Sequence, residues 1–175
     1  MMYNAAFAPE ALARKEKIQT ALRRLSADAL LLADNANLYY TSSRVFCGYT
    51  YIPAEGDMLY FVRRPVGLTG DNVVYIRKPE QIPDELKNRG LALPATLLLE
   101  GDSLPFNEYN RLAAAFSPAR ILGEGTALIR GVRAVKTPYE IALIRQSAAS
   151  HDTLYRRIPK LYTEGMTDQE FSIEI

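Results

Sequence analysis

Two short, unbroken apolar runs constrain this chain more than any other feature: Ala29-Leu30-Leu31-Leu32-Ala33 and Thr96-Leu97-Leu98-Leu99. Each is too short for a buried helix, and each is bounded by turn-forming residues. Such runs read as strands apolar on both sides, buried in the middle of a sheet. A sheet of that kind needs helices to cover it.

The helical signal sits where it is needed. Between Pro9 and Leu25, Ile18, Ala21, Leu22 and Leu25 recur at i, i+3, i+4 and i+7, with charged residues between them. This is an amphipathic helix with one core-facing stripe. Asp34-Asn35 reads as a turn. Leu38–Thr41 and Tyr49–Ile52 are aromatic and β-branched, which predicts strands. Pro53–Asp57 reads as a turn before a strand at Met58–Val62, together forming an antiparallel hairpin around Gly56. Val66–Asn72 reads as a loop, Val73–Ile76 as a strand and Pro83–Arg89 as a helix ended by Gly90. Pro105–Phe116 reads as a helix with Leu112, Ala115 and Phe116 inward, and Arg120–Leu122 as a last short strand. The expected fold is α/β, a mixed sheet flanked by helices.

After about Gly131 only helix signals remain. Thr137-Pro138-Tyr139-Glu140 is a capping box with proline at the first helical position. Ile141, Ile144, Ala148, Tyr155 and Ile158 continue a stripe, which Pro159 should end or kink. Thr167-Asp168-Gln169-Glu170 repeats the capping device ahead of Phe171 and Ile175.

Composition narrows the function. The net charge is +1, too small a field to favour nucleic acid. The longest apolar run is far shorter than the ~20 residues a membrane span requires. The first residues lack the basic and apolar regions of a secretory signal. The expectation is a cytoplasmic protein that binds neither nucleic acid nor membrane. Cys47 is the only cysteine, which excludes an intrachain disulfide; it reads as a small, at least half-buried side chain. His151 is the only histidine and reads as a solvent-facing helix residue. Gly123-Glu124-Gly125-Thr126-Ala127-Leu128 departs from a dinucleotide fingerprint at Leu128 and reads as a glycine turn.

Three segments carry a family resemblance. Arg133-Ala134-Val135-Lys136-Thr137-Pro138-Tyr139-Glu140-Ile141-Ala142-Leu143-Ile144-Arg145 resembles the R-x-x-K-[ST]-x-x-E-[IL]-x-x-[IL]-[RK] signature that enters the catalytic domain of creatinases, prolidases and aminopeptidases P. Gly165–Glu170 resembles the later G-[MT]-[TS]-[ED]-x-[ED] step. Asn37–Ser42, after the Asp28-Ala29-Leu30-Leu31 strand, resembles the N-x-x-Y-[LFY]-[TS] segment of the N-terminal domain, departing from it at Thr41.

The resemblance implies a ribonuclease H-like N-terminal domain over residues 1–132. A C-terminal helical extension at 133–175 would be the start of a pita-bread catalytic domain. It implies a parent Xaa-Pro metallopeptidase, of aminopeptidase P or prolidase type, acting on peptides with two divalent metal ions, often manganese. The ligands of those ions lie outside the matched segments, so the chain itself is expected to hold no metal and to hydrolyse nothing. Its implied partners are its own catalytic domain and a second copy in a homodimer. The loop from Ser42 to Tyr51 is the implied gate or subunit contact, with Tyr39, Arg44, Phe46 and Tyr49 as candidate residues. Arg133, Lys136, Thr137 and Glu140 are signature residues of structural role. The alternative is a protein- or peptide-binding module of a non-peptidase relative.

Overall fold

The computed structural model describes residues 7–64 and 67–174. The first six residues, read above for a secretory signal, lie outside the described residues, as do Pro65 and Val66 of the expected loop. The chain divides into two compact units, one ending at Ala134 and the other beginning at Val135.

The first unit runs α1 (Phe7–Arg24), β1 (Ala29–Leu32), α2 (Asn35–Ser42), β2 (Gly48–Pro53), β3 (Leu59–Val62), β4 (Val73–Tyr75), α3 (Ile82–Asn88), β5 (Thr96–Leu99), α4 (Phe106–Ala115), β6 (Arg120–Leu122) and α5 (Gly125–Ala134). The six strands form one sheet in the order β4-β3-β2-β1-β5-β6. β1 is parallel to β5, and β5 to β6, while β1–β2 and β2–β3 are antiparallel and β3–β4 parallel. The sheet is therefore mixed, as the alternation of signals requires.

The two apolar runs are the central strands β1 and β5, and all four residues of β1 are buried. Successive side chains alternate between faces. Leu30 and Leu32 join Ile18 and Leu22 of α1, Leu38 of α2 and Ile129 of α5 in one core. Ala29 and Leu31 join Ile82 and Leu86 of α3, Leu112 of α4 and Phe116, the residue that caps α4, in the other. Leu25, read as part of the α1 stripe, lies past the helix end and is exposed.

Two segments differ in kind from their sequence readings, and the first, Gly123–Leu128, read as a glycine turn, enters helix α5 at Gly125. Leu38–Thr41, expected as a strand, lies in helix α2. Tyr39, Tyr40 and Thr41 have strand propensity, but tertiary contacts override it. Asp34, read as a turn residue, is the N-cap, and its side chain accepts from the Ala36 N–H. In a helix, Asn37, Leu38, Tyr40 and Thr41 are all buried; a strand would turn alternate ones outward. Gly125 opens α5 where a β-carbon would meet the Leu99 carbonyl oxygen at 2.5 Å. The glycine at this turn serves close helix–strand packing.

The second unit holds α6 (Pro138–Leu161) and α7 (Asp168–Glu174). Both capping boxes form. Thr137 Oγ1 accepts from the Glu140 N–H, and Glu140 accepts from the Thr137 N–H. Thr167 and Glu170 repeat the exchange, and the hydrogen bonds that the Thr167 N–H and hydroxyl donate to the Glu170 carboxylate hold it below its ordinary range. α6 passes through Pro159 and stops at Leu161 rather than near Ile158. So close to a helix end, proline's missing N–H removes a single bond from the last turn. Among the described residues, no helix is long and apolar enough to cross a membrane.

Candidate functional site

The helix that follows β1 and the helix that follows β5 leave the sheet on opposite faces. α2 places Leu38 and Tyr40 in one core, and α4 places Leu112 and Phe116 in the other. β1 and β5 are adjacent and parallel, so their outgoing connections diverge and open a crevice at the carboxyl ends of the strands. This is the topological switch point at which open α/β sheets bind ligands. The crevice has a volume of about 480 Å³. Ala33 and Asp34 line one side, Ser103–Pro105 and Glu108 the other, and Phe46–Tyr49 and Arg63 complete it.

A fully buried carboxylate fixes one wall. Glu100, directly after β5, accepts from the backbone N–H groups of Ala33 and Asp34 and from the Asn37 side-chain amide. The Asp34 bond is 2.8 Å long. Asn37 Oδ1 in turn accepts from Arg133 Nη1 at 2.7 Å. Tyr40, one turn beyond Asn37 on the same helix face, lies under two cations. The Arg14 guanidinium stands 4.4 Å and that of Arg133 6.0 Å from its ring centroid. Arg14 also donates to the Tyr40 carbonyl and pairs with buried Glu10 at 2.9 Å. Arg133, the first residue of one resembling segment, therefore meets Asn37 and Tyr40 of the other within the first unit.

The four expected gate residues separate. Tyr39 is exposed on α2 and Arg44 is half-buried. Phe46 is buried edge-on against Tyr60. Tyr49 is a core residue of β2, and its hydroxyl donates to Glu108. Burial, then the bond to Glu108, pushes the Tyr49 phenol well above its ordinary range. The loop itself is shorter than expected, because α2 reaches Ser42 and β2 begins at Gly48. Of the signature residues, Arg133 ends α5 in the first unit. Thr137 and Glu140 cap α6, and Lys136 lies exposed just before it.

Cys47 is exposed on the crevice rim, not half-buried; the tight approach of Gly48 to the Phe61 carbonyl belongs to its neighbour alone. His151 is exposed on α6. Among the described residues, no group of three or more His, Cys, Asp and Glu side chains is placed to hold a metal ion. Sequence reasoning missed Glu100 and Glu108. Glu100 had a faint signal, as a carboxylate closing an apolar strand; Glu108 had none.

Comparison with known proteins bears on the family and the fold. The family model of the creatinase/prolidase N-terminal domain matches residues 14–135, more than half of the chain. A search of curated proteins gives no match. Among solved structures, the Xaa-Pro dipeptidase of Bacillus anthracis superposes with a TM-score of 0.74 at 19% identity, over 94% of this chain and 47% of that one. The prolidase of Pyrococcus horikoshii OT3 superposes with a TM-score of 0.69 at 23% identity, over 93% of this chain and 46% of that one. The N-terminal domain of the cytoplasmic peptidase PepQ from Mycobacterium tuberculosis H37Rv gives 0.55 at 18% identity, covering 67% of this chain and 98% of that domain. The chain thus spans about half the length of the two full peptidases.

Proposed function

Since the chain belongs to the creatinase/prolidase N-terminal domain family, we propose that it is the non-catalytic lobe of an Xaa-Pro peptidase of prolidase or aminopeptidase P type. The observation that carries this reading is the joint match: the family model on residues 14–135, and the fold of dipeptidase and prolidase over nearly the whole chain. The parent protein hydrolyses peptide bonds next to proline in the cytoplasm, and residues 133–175 begin its catalytic domain. The parent's two divalent ions, manganese in the simplest case, are held by residues outside this chain.

The lobe's own task is oligomerisation and substrate gating in a homodimer. Support comes from the surface beside the crevice, where Tyr39 and Val45 are more than half exposed and Arg44 stands between α2 and Phe46. An apolar rim carrying a cation suits a contact with a second subunit and with a peptide carboxylate. In the parent protein, Arg44→Ala is expected to raise KM for an Xaa-Pro dipeptide severalfold, or to shift the dimer toward monomer in light scattering. Kinetics and mass both equal to wild type remove the gating role.

A further inference from the structure

We propose that the outer edge of β4 pairs antiparallel with β4 of a second copy of this chain, joining the two sheets into one. β4 ends the strand order and is paired only with β3. The Tyr60 N–H donates to the Asn72 carbonyl, and the Ile76 N–H donates to the Val62 carbonyl. Those two groups of the β4 segment therefore face β3, and by alternation so do the backbone groups of Val74. The backbone groups of Val73 and Tyr75 face outward. The Val73 N–H donates to the Gly70 carbonyl at 3.0 Å. Among the described residues, the Val73 carbonyl and the N–H and carbonyl of Tyr75 are paired with no protein group. Such an edge is a template for another strand. The opposite edge, β6, is blunted. Pro118 brings no N–H two residues before it, and Gly123, directly after it, accepts from the Gly101 N–H.

The register follows from charge. A strand that meets its own copy antiparallel closes on a two-fold axis. With the axis at Val74, Tyr75 of each copy lies opposite Val73 of the other, and each Tyr75 N–H donates to the open Val73 carbonyl. Tyr75 is 52% exposed, and its ring then covers Val73 of the second copy, an aromatic on a β-branched side chain. Asp71, in the turn before β4, comes beside Arg77 of the second copy, in the bend after β4. An axis at Val73 or at Tyr75 would instead set Asp71 beside Tyr75 or Pro79. The side chains of Asp71 and Arg77 are exposed, and among the described residues neither makes an ion pair. Arg89 donates to the Asp71 carbonyl at 2.7 Å, which holds the turn and leaves the carboxylate open. These residues line no part of the crevice, so the contact is separate from the rim around Arg44. The proposal concerns this chain alone and does not rest on the peptidase reading.

The test measures self-association of the 175-residue chain by analytical ultracentrifugation, up to millimolar protein. The wild-type chain is expected to form a dimer. Asp71→Arg and Arg77→Asp each set like charges together, and each is expected to weaken association about tenfold. Mixed in equal amounts, the two variants should pair as tightly as wild type, because each supplies the sign the other lacks. Tyr75→Pro removes the outward N–H without touching a bond to β3 and should weaken association as well. A wild-type chain that stays monomeric, a dimer indifferent to all three substitutions, or a mixture that fails to recover overturns the proposal. Association lost in Arg44→Ala but kept in these variants also overturns it, and leaves the contact at the crevice rim standing.

Discussion

Arg133 Nη1 donates to Asn37 Oδ1 across 2.7 Å, although the two residues lie 96 positions apart. Arg133 is the first fixed residue of one family signature and Asn37 the first of another. Their bond gives both a structural reason. It ties the end of α5, where the first unit closes, to the helix that walls the crevice.

Removing that tie should destabilise the first unit. Arg133→Ala is expected to lower the unfolding free energy by about 2 kcal/mol, the size of a lost charge-assisted hydrogen bond to a buried partner. Arg133→Lys should recover only part of it, because an ammonium lacks the planar fork. Urea unfolding of the three proteins checks this.

Glu100→Gln should cost more, about 3 kcal/mol. The carboxylate accepts three donors, from Ala33, Asp34 and Asn37. A glutamine amide turns two of its own donors toward that cluster and leaves a buried N–H opposed to an N–H. Thermal denaturation reads the loss.

Gly125→Ala should cost at least about 2 kcal/mol, the scale of an overpacked core. The added methyl would meet the Leu99 carbonyl at 2.5 Å and Leu30 at 2.9 Å. Gly131→Ala, with open space around it, is the control, and helix propensity makes it neutral or stabilising. Paired urea melts separate the two.

Stability should fall in alkali. Burial raises the phenols of both Tyr49 and Tyr51, the latter up to about 12. A group with a raised folded pKa contributes its full stability below the unfolded value, about 10 for tyrosine. The contribution is lost as pH climbs from there toward the folded value. Each phenol should steepen the decline by about 1.4 kcal/mol per pH unit in that window. Tyr51→Phe should flatten the slope between about pH 10 and 12 without moving the neutral-pH plateau by the same amount.

What the sequence made visible was local. The strands β1 and β5 were legible because three leucines in a row, bounded by turn residues, leave few choices. The α6 start was legible because Thr137, Pro138 and Glu140 each act within one turn. Leu38–Thr41 was misread because its aromatic residues favour strands in isolation. Its helical state rests on Asp34 as cap and on Asn37 and Tyr40 meeting Glu100, Arg133 and Arg14, partners distant in sequence. The crevice was invisible for the same reason. It exists because two helices leave neighbouring strands on opposite faces, a property of topology and not of any short segment.

The central claim, that this chain is the N-terminal lobe of a proline-specific metallopeptidase, is tested most directly by one assay. The protein encoded by the full reading frame is purified and given manganese and alanyl-proline, with alanyl-alanine as control. The account predicts release of proline, abolished by chelator, and no release by residues 1–175 alone. A folded full-length protein that leaves alanyl-proline and longer Xaa-Pro peptides uncut, or residues 1–175 that cut them unaided, would contradict it.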